Sequence, residues 1–265
     1  MGKNNQVFEQ YADFYDDYYV SKDYENEVSF VLSLASLCGL ENFRNVLDIG
    51  CGTGGHLLYF AKAGIKSTGF DLSDAMVKIA QQKLKKLGRE RMIRKSLMPV
   101  VKNGDARSYR DGKKYDLVVS MFAAMGYLAT NKDFLDGLKT ARAHLNKKGL
   151  FIFDVWFGPT VIAERPETRV QEFTKDGKKT IRMVNPGLNV IRQTATIKYK
   201  ILQLDGKKIA KEVNEAHEMR FFFAQELRLL LEQAGFSLLK VCPFMDDSRD
   251  PVLGDWNISV VAQAR

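Results

Sequence analysis

Asp48 stands two residues ahead of the run Gly50-Cys51-Gly52-Thr53-Gly54-Gly55 in this 265-residue chain. Glycines in such a run allow a tight turn and let backbone N–H groups approach a ligand closely, as nucleotide-type cofactors require. Gly50, Gly52 and Gly55 satisfy the G-x-G-x-x-G spacing of dinucleotide loops, so NAD is one reading. Asp48 opposes it, because a carboxylate there repels a pyrophosphate but suits a cofactor that carries an ammonium group and no phosphate. S-adenosylmethionine is such a cofactor. Asp71, 23 residues after Asp48, can accept both ribose hydroxyls. The same charge would also favour the dipole of a following helix. In Asn103-Gly104-Asp105-Ala106, Asp105 can accept from an adenine amino group while Ala106 offers its N–H to the ring, although Gly-Asp alone is ordinary turn chemistry.

Methyl transfer is an in-line displacement, so a protein performing it must mainly align donor and acceptor, exclude water and accept a proton. Two residues suit these tasks. Tyr127 can hydrogen-bond and orient an amine, or it is a packing tyrosine with a polar tip. His217 titrates in the useful range and is the best general base by chemistry, unless it is a satisfied structural histidine. Trp156 and Phe157 can wall an acceptor ring, or they anchor the segment that follows. Tyr15 and Tyr24 can form an aromatic lid, with Tyr15 beside the sulfonium, although core packing accounts for each equally well.

The elements that must position these residues alternate. Residues 45–49 read as a strand, 56–63 as a helix, 66–70 as a strand, and Ser73 caps a helix carrying Met76, Ile79, Ala80 and Leu84. Strands at 99–102, 117–121 and 150–155 continue the pattern, with a helix over about 131–145 between the last two. Such alternation gives a parallel sheet with helices on both faces, a Rossmann-like α/β fold. The first 44 residues form a helical lid, with Val7, Tyr11, Phe14 and Tyr18 at helical spacing, and residues 45–155 form the cofactor core. Residues 156–223 turn to β-branched and aromatic segments at 168–173, 180–184, 190–204 and 207–223, joined by Asp176-Gly177 and Asp205-Gly206 turns. They make an antiparallel insertion that serves as an acceptor lobe. A helix at 224–234 ending in Gly235 and strands at 236–241 and 257–262 return to the core, so the chain reads as one elaborated domain.

Composition narrows the functions. Lys+Arg 40 against Asp+Glu 32 gives a net charge of +8, which favours anionic ligands without choosing among them. The basic stretch at 83–95 lacks the interleaved aromatics of a nucleic-acid patch. Three separated cysteines, with no CxxC pair and no His at ligand spacing, fit a reducing cytoplasm and no metal site. No apolar run is long enough to span a bilayer, and the N-terminus is polar, so a cytoplasmic protein with no membrane partner is expected.

The run Val46-Leu47-Asp48-Ile49-Gly50-Cys51-Gly52-Thr53-Gly54, then Asp71-Leu72-Ser73, Gly104-Asp105 and Tyr115-Asp116-Leu117-Val118-Val119-Ser120, resembles the class I S-adenosylmethionine-dependent methyltransferases in order and spacing. The resemblance implies a seven-stranded sheet whose last strand is antiparallel, with S-adenosylmethionine over the carboxyl ends of the first four strands. It implies cofactor contacts from Tyr15, Tyr24, Asp48, Gly50, Gly52, Asp71, Leu72, Asp105, Ala106 and Met121. A narrower resemblance, carried by Phe14-Tyr15-Asp16, Lys22-Asp23-Tyr24, Val119-Ser120-Met121-Phe122, Gly126-Tyr127-Leu128, Asp154-Val155-Trp156-Phe157-Gly158-Pro159 and the strand with His217, is to bacterial N-methyltransferases of nucleotide-linked amino sugars. It implies an anionic nucleotide-sugar acceptor, with Trp156 and Phe157 binding substrate. The ending Asp250-Pro251-Val252-Leu253-Gly254-Asp255-Trp256-Asn257 departs from that family's glycine-rich, arginine-bearing end. Two other classes compete, a nucleic-acid methyltransferase and a non-catalytic S-adenosylmethionine-binding protein. The first is disfavoured because Ser120-Met121-Phe122-Ala123 replaces an Asn-Pro-Pro-Tyr-like motif, and the oligomeric state stays open, a homodimer included.

Overall fold

The structure is a computed structural model that describes residues 8, 9, 11–175, 177–206 and 208–265. Val7, on the expected first helix, and Asp176, in the first expected hairpin turn, lie outside the described residues. Two short helices come first, α1 (Ala12–Tyr18) and α2 (Tyr24–Leu37), the second capped by Asp23, whose side chain accepts from Asn26 N at 3.0 Å. β1 (Asn45–Ile49), α3 (Gly55–Lys62), β2 (Lys66–Asp71), α4 (Asp74–Arg89), β3 (Val100–Asn103), β4 (Tyr115–Ser120), α5 (Asn131–His144) and β5 (Leu145–Phe157) follow. Ser73 caps α4 by accepting from Met76 N at 3.2 Å, and that helix buries Met76, Val77, Ala80 and Leu84 at helical spacing.

The central strands are apolar at nearly every position because both faces are covered, and period-2 alternation divides their side chains between two cores. Leu117 and Val119 of β4 and Leu150 and Ile152 of β5 pack with Val28 and Val31 of α2 and Phe60 of α3. Val118, Phe151 and Phe153 point the other way, to Phe134 and Leu138 of α5. Each fully buried Phe contributes roughly 1.5–3 kcal/mol by removal from water. This fixes the register, since slipping β5 by one residue would exchange the two sets.

After β5 comes α6 (Gly158–Glu164), then the insertion strands β6 (Arg169–Lys175), β7 (Lys178–Asn189), β8 (Thr194–Asp205) and β9 (Lys208–Phe222). α7 (Ala224–Gln233), β10 (Phe236–Pro243) and β11 (Asn257–Ala264) complete the chain. The core strands lie in the order β3-β2-β1-β4-β5, with β11 pairing antiparallel to both β5 and β10. The seven-stranded sheet with an antiparallel last strand is therefore present. The insertion is an antiparallel ladder β6-β7-β8-β9, joined to the core where Trp156 and Phe157 pair in parallel with Phe221 and Phe222.

Two expectations need amendment. The acceptor lobe opens with a helix rather than a strand, because Pro159 sits in the first turn of α6, where its missing N–H costs nothing. The strand expected from residue 190 begins at Thr194, because Gln193 has φ 53° and closes a turn in which its N–H donates to Val190 O at 3.2 Å.

Candidate active site

A cavity of about 490 Å3 lies over the carboxyl ends of β1 to β4, between the glycine loop, the N-terminal helices and β9. That is where ligands of open α/β sheets bind. Gly50 and Gly52 have φ 74° and 51°, values that disfavour any other residue. A side chain at Gly50 would strike Ala124 Cβ at 2.8 Å, whereas one at Gly52 would meet nothing within 4 Å, so the loop presents bare backbone to open space. The third glycine of the dinucleotide spacing serves another purpose. A Cβ on Gly55 would stand 2.4 Å from the Tyr24 ring, so this close approach accommodates an aromatic side chain from α2.

Asp71 is held by two backbone donors, Gly52 N to Oδ2 and Ser73 N to Oδ1, each at 2.9 Å. Burial raises its carboxyl from the ordinary range, partly offset by those bonds. Asp48 is 1% exposed, and neither of its oxygens has a partner. Burial first, and the charge of Asp71 second, push its carboxyl up to about 8. Asp48 does not line the cavity but lies beneath the loop that does.

Asp105 is occupied. Its Oδ1 accepts from Arg107 N at 2.8 Å and Arg107 Nε at 2.9 Å, and its Oδ2 accepts from Nε at 3.0 Å, which holds its carboxyl below the usual range. An adenine amino group would have to displace that guanidinium. Tyr15, Tyr24, Leu72, Ala106, Met121, Tyr127, Trp156 and His217 also line the cavity. Phe157 does not, packing instead against the core around Phe134 and Phe222.

The loop after β4 is strained, with Phe122 at φ 64° and Ala123 at φ 55°. Asp154, fully buried in β5, holds it by accepting from Ala123 N at 2.9 Å, and burial pushes that carboxyl up to about 7. The loop carries Tyr127, whose Oη is 3.0 Å from His217 Nδ1. His217 Nε2 is in turn 3.1 Å from Glu215 Oε2. Strand alternation puts Glu215 and His217 on one face of β9. An ionised carboxylate only accepts, so Nε2 carries hydrogen, and in the neutral ring the Nδ1 lone pair receives the Tyr127 hydroxyl proton. Burial raises the Tyr127 phenol well above its ordinary value, so it serves as a neutral hydroxyl rather than a phenolate.

Lys22 and Tyr19 of the cavity wall, and Asp154 in β5, were not among the residues expected at the site. Lys22 lies 4.0 Å from the centroid of the Phe122 ring and bonds Glu27, whose second oxygen is 2.7 Å from His56 Nε2. Tyr19 stands beside Tyr15, ring centroids 4.8 Å apart, and beside Phe122, 5.0 Å apart, extending the aromatic wall. Asp154 carried a readable signal, a carboxylate in the middle of an apolar strand run, where burying it requires a task. No group of three or more His, Cys, Asp or Glu among the described residues could hold a metal ion, and no helix among them is long and apolar enough to cross a membrane.

These features have counterparts in known proteins. The chain is 27% identical over 228 residues to the dTDP-3-amino-3,4,6-trideoxy-alpha-D-glucopyranose N,N-dimethyltransferase of Streptomyces venezuelae, covering 85% of this chain and 89% of the relative. It is 24% identical over 247 residues to a putative methyltransferase of Bacillus subtilis, covering 91% of each. Its fold matches the crystal structure of an S-adenosylmethionine-dependent methyltransferase from Clostridium acetobutylicum with a TM-score of 0.78 at 19% identity, over 97% of this chain and 98% of that one. A family model described as a methyltransferase domain matches residues 17–241, and the chain belongs to the class I S-adenosylmethionine-dependent methyltransferases.

Proposed function

We propose that this enzyme methylates the amino nitrogen of a nucleotide-linked amino sugar. The observation that carries the reading is the Tyr127–His217 pair in the cavity wall, a proton acceptor of the kind an amine needs after it has attacked. The amino-sugar N,N-dimethyltransferase relative supports the choice of acceptor. His217 is 1% exposed, which favours a small molecule that enters the cavity over a polymer that would have to remain outside it.

The residues fit S-adenosylmethionine. Bare backbone at Gly52, the bridled carboxylate of Asp71 and the unpartnered carboxyl of Asp48 suit an uncharged turn, a ribose and a cationic amino-acid end. Asp71 would hold the ribose, Lys22 the carboxylate end and Ala106 the adenine, Tyr15 and Tyr19 would surround the sulfonium, and Asp48 beneath the loop would favour the ammonium end through its field rather than by contact. The bound cofactor supplies an electrophilic methyl group. Tyr127 Oη would accept a hydrogen bond from the neutral amine and aim its lone pair. Once methylated, the nitrogen would give a proton to Tyr127 Oη while the Tyr127 proton passes to His217 Nδ1. Phe122 and Met121 would exclude water from that path.

Incubation with S-adenosylmethionine and a panel of nucleotide-linked amino sugars and their hydroxyl counterparts, read by mass spectrometry for gain of a methyl mass, tests the proposal. Tyr127→Phe, which removes the hydroxyl between the amine and the imidazole, should lower kcat at least as much as His217→Ala, which should cost on the order of 100-fold and alter the pH profile. Methylation of a non-amine panel member with no turnover of any amino sugar would reject the acceptor class. Full turnover in both variants would leave alignment alone to carry the reaction.

A further inference from the structure

Glu215 does more than face His217. Its Oε1 accepts from Tyr11 N at 2.8 Å, and its Oε2 accepts from Phe8 N at 3.0 Å while standing 3.1 Å from His217 Nε2. One carboxylate on the insertion therefore grips both the imidazole and the chain that covers the cavity. The covering segment adds its own rings: Phe8 lies 4.6 Å from the His217 centroid and 5.5 Å from that of Tyr127, and Tyr11 lies 5.8 Å from His217. At its other side the same segment is tied to the cofactor half. Ser73 Oγ donates to Phe8 O at 3.1 Å, immediately beyond Asp71. Asp16 accepts from Thr53 Oγ1 at 2.7 Å, next to Gly52, and from Lys83 Nζ at 3.1 Å.

We infer that Glu215 is a positioning residue that couples seating of Phe8 and of residues 11–19 over the cavity to readiness of His217. The inference rests on the proton role proposed for His217. With the segment down, two backbone amides fix the carboxylate, the carboxylate fixes the hydrogen on Nε2, and Nδ1 is left free to receive from Tyr127. With the segment raised, the carboxylate loses both amides, water reaches the ring, and the opposite tautomer, which offers Tyr127 no acceptor, becomes available. Closure reports on the cofactor side because Asp16 and Phe8 are bonded to residues flanking Gly52 and Asp71. The acceptor half is then armed only when the segment is seated on the cofactor loop. The titratable groups facing His217 are Glu215 from its own strand, Tyr199 from β8, Tyr11 from the segment and Tyr127 from the β4 loop, with Arg182 behind Tyr11 and Tyr199.

The test uses the full chain with S-adenosylmethionine bound. Glu215→Gln should lower kcat at least tenfold with little change in the acceptor KM and move the acid limb of the kcat profile to lower pH. It should also speed hydrogen–deuterium exchange of residues 11–19 at least tenfold. Glu215→Asp, which keeps the charge but shortens the reach, should give the same pattern more weakly and serves if the glutamine variant does not fold. Asp16→Asn, far from the imidazole, should loosen the segment and lower kcat several-fold at saturating cofactor. The coupling is overturned if Glu215→Gln leaves segment exchange unchanged, if it leaves kcat and the acid limb unchanged, or if Asp16→Asn loosens the segment without touching kcat. Full turnover by His217→Ala would instead reject the proton role itself, an outcome separable from all three.

Discussion

Replacing Asp48 with asparagine should make this enzyme more stable and a poorer binder of its cofactor. The folded protein holds the Asp48 carboxyl at about 8, above its ordinary 3.8, because it is buried without a partner and faces the charge of Asp71. An acid raised in the folded state binds its proton more tightly there than in the unfolded chain, so stability is full below about pH 4 and is lost progressively as the pH rises toward 8. At 1.36 kcal/mol for each step of one in pKa, roughly 4 kcal/mol is already lost at pH 7. A neutral amide escapes that cost and, like the protonated acid, leaves a buried polar group unmet, so Asp48→Asn should gain up to about 4 kcal/mol and several degrees in Tm. Cofactor affinity should move the other way. If the cationic cofactor binds only while that carboxylate is ionised, the binding form is about 1% of the protein at pH 6 and about half at pH 8, which predicts an affinity gain of about 50-fold between them. Calorimetry at both pH values should show that gain in the parent, with release of about one proton per cofactor at pH 7, and a nearly flat response in Asp48→Asn. Equal affinity of parent and variant at pH 8, or parallel pH responses, would refute the assignment of Asp48 to the cationic end.

Asp71→Ala should weaken S-adenosylmethionine by about 1–3 kcal/mol through loss of charge-assisted hydrogen bonds to ribose, read by calorimetry on a variant whose thermal unfolding is otherwise normal. Arg107→Ala should free Asp105 for the adenine amino group and tighten cofactor binding a few-fold, because an ion pair this exposed is worth only about 0–1 kcal/mol by itself; weaker binding would mean that the guanidinium contacts the cofactor directly. Gly55→Ala places a methyl group 2.4 Å from the Tyr24 ring, so it should cost about 1–3 kcal/mol by overpacking and lower Tm by several degrees. EDTA should leave turnover intact; activity lost to chelation and restored by a divalent ion would overturn the reading of a metal-free site.

What the sequence revealed is local. The run from β1 through α4 could be read because each signal lies within a few residues: glycines that must turn, Asp71 at a strand end, Ser73 three residues before the N–H it caps. The insertion was legible as hairpins from its Gly turns and β-branched runs, but not its opening helix, seven residues being too few to show a period. The grip of Glu215 on Phe8 and Tyr11 spans more than 200 positions, and nothing in either segment announces the other. Trp156 and Phe157 hold a different lesson. Neighbours on a strand point to opposite faces, so both cannot wall one cavity, and alternation alone could have assigned Trp156 to the cavity and Phe157 to the core.

The buried acids also explain why a glycine loop that satisfies the dinucleotide spacing should not take NAD. Asp48, Asp71 and Asp154 are all raised by burial, Asp48 to about 8 and Asp154 to about 7, so in the free protein the negative charge of those two is partly suppressed, and a cation would restore it. Lys22, beside the Phe122 ring, is already shared with Glu27 and cannot balance three more carboxylates. A pyrophosphate would add charge of the wrong sign to the loop. A sulfonium and an ammonium bring two positive charges, and methyl transfer removes one of them. The spent cofactor therefore meets the same acids with one less charge, at a dielectric low enough for the difference to matter, so the electrostatics that favour binding of the donor also favour release of the product. Measured directly, S-adenosylhomocysteine should depend less on Asp48 than S-adenosylmethionine does. An Asp48→Asn variant that loses equal affinity for both would show that the carboxylate senses only the amino-acid end, and not the sulfur.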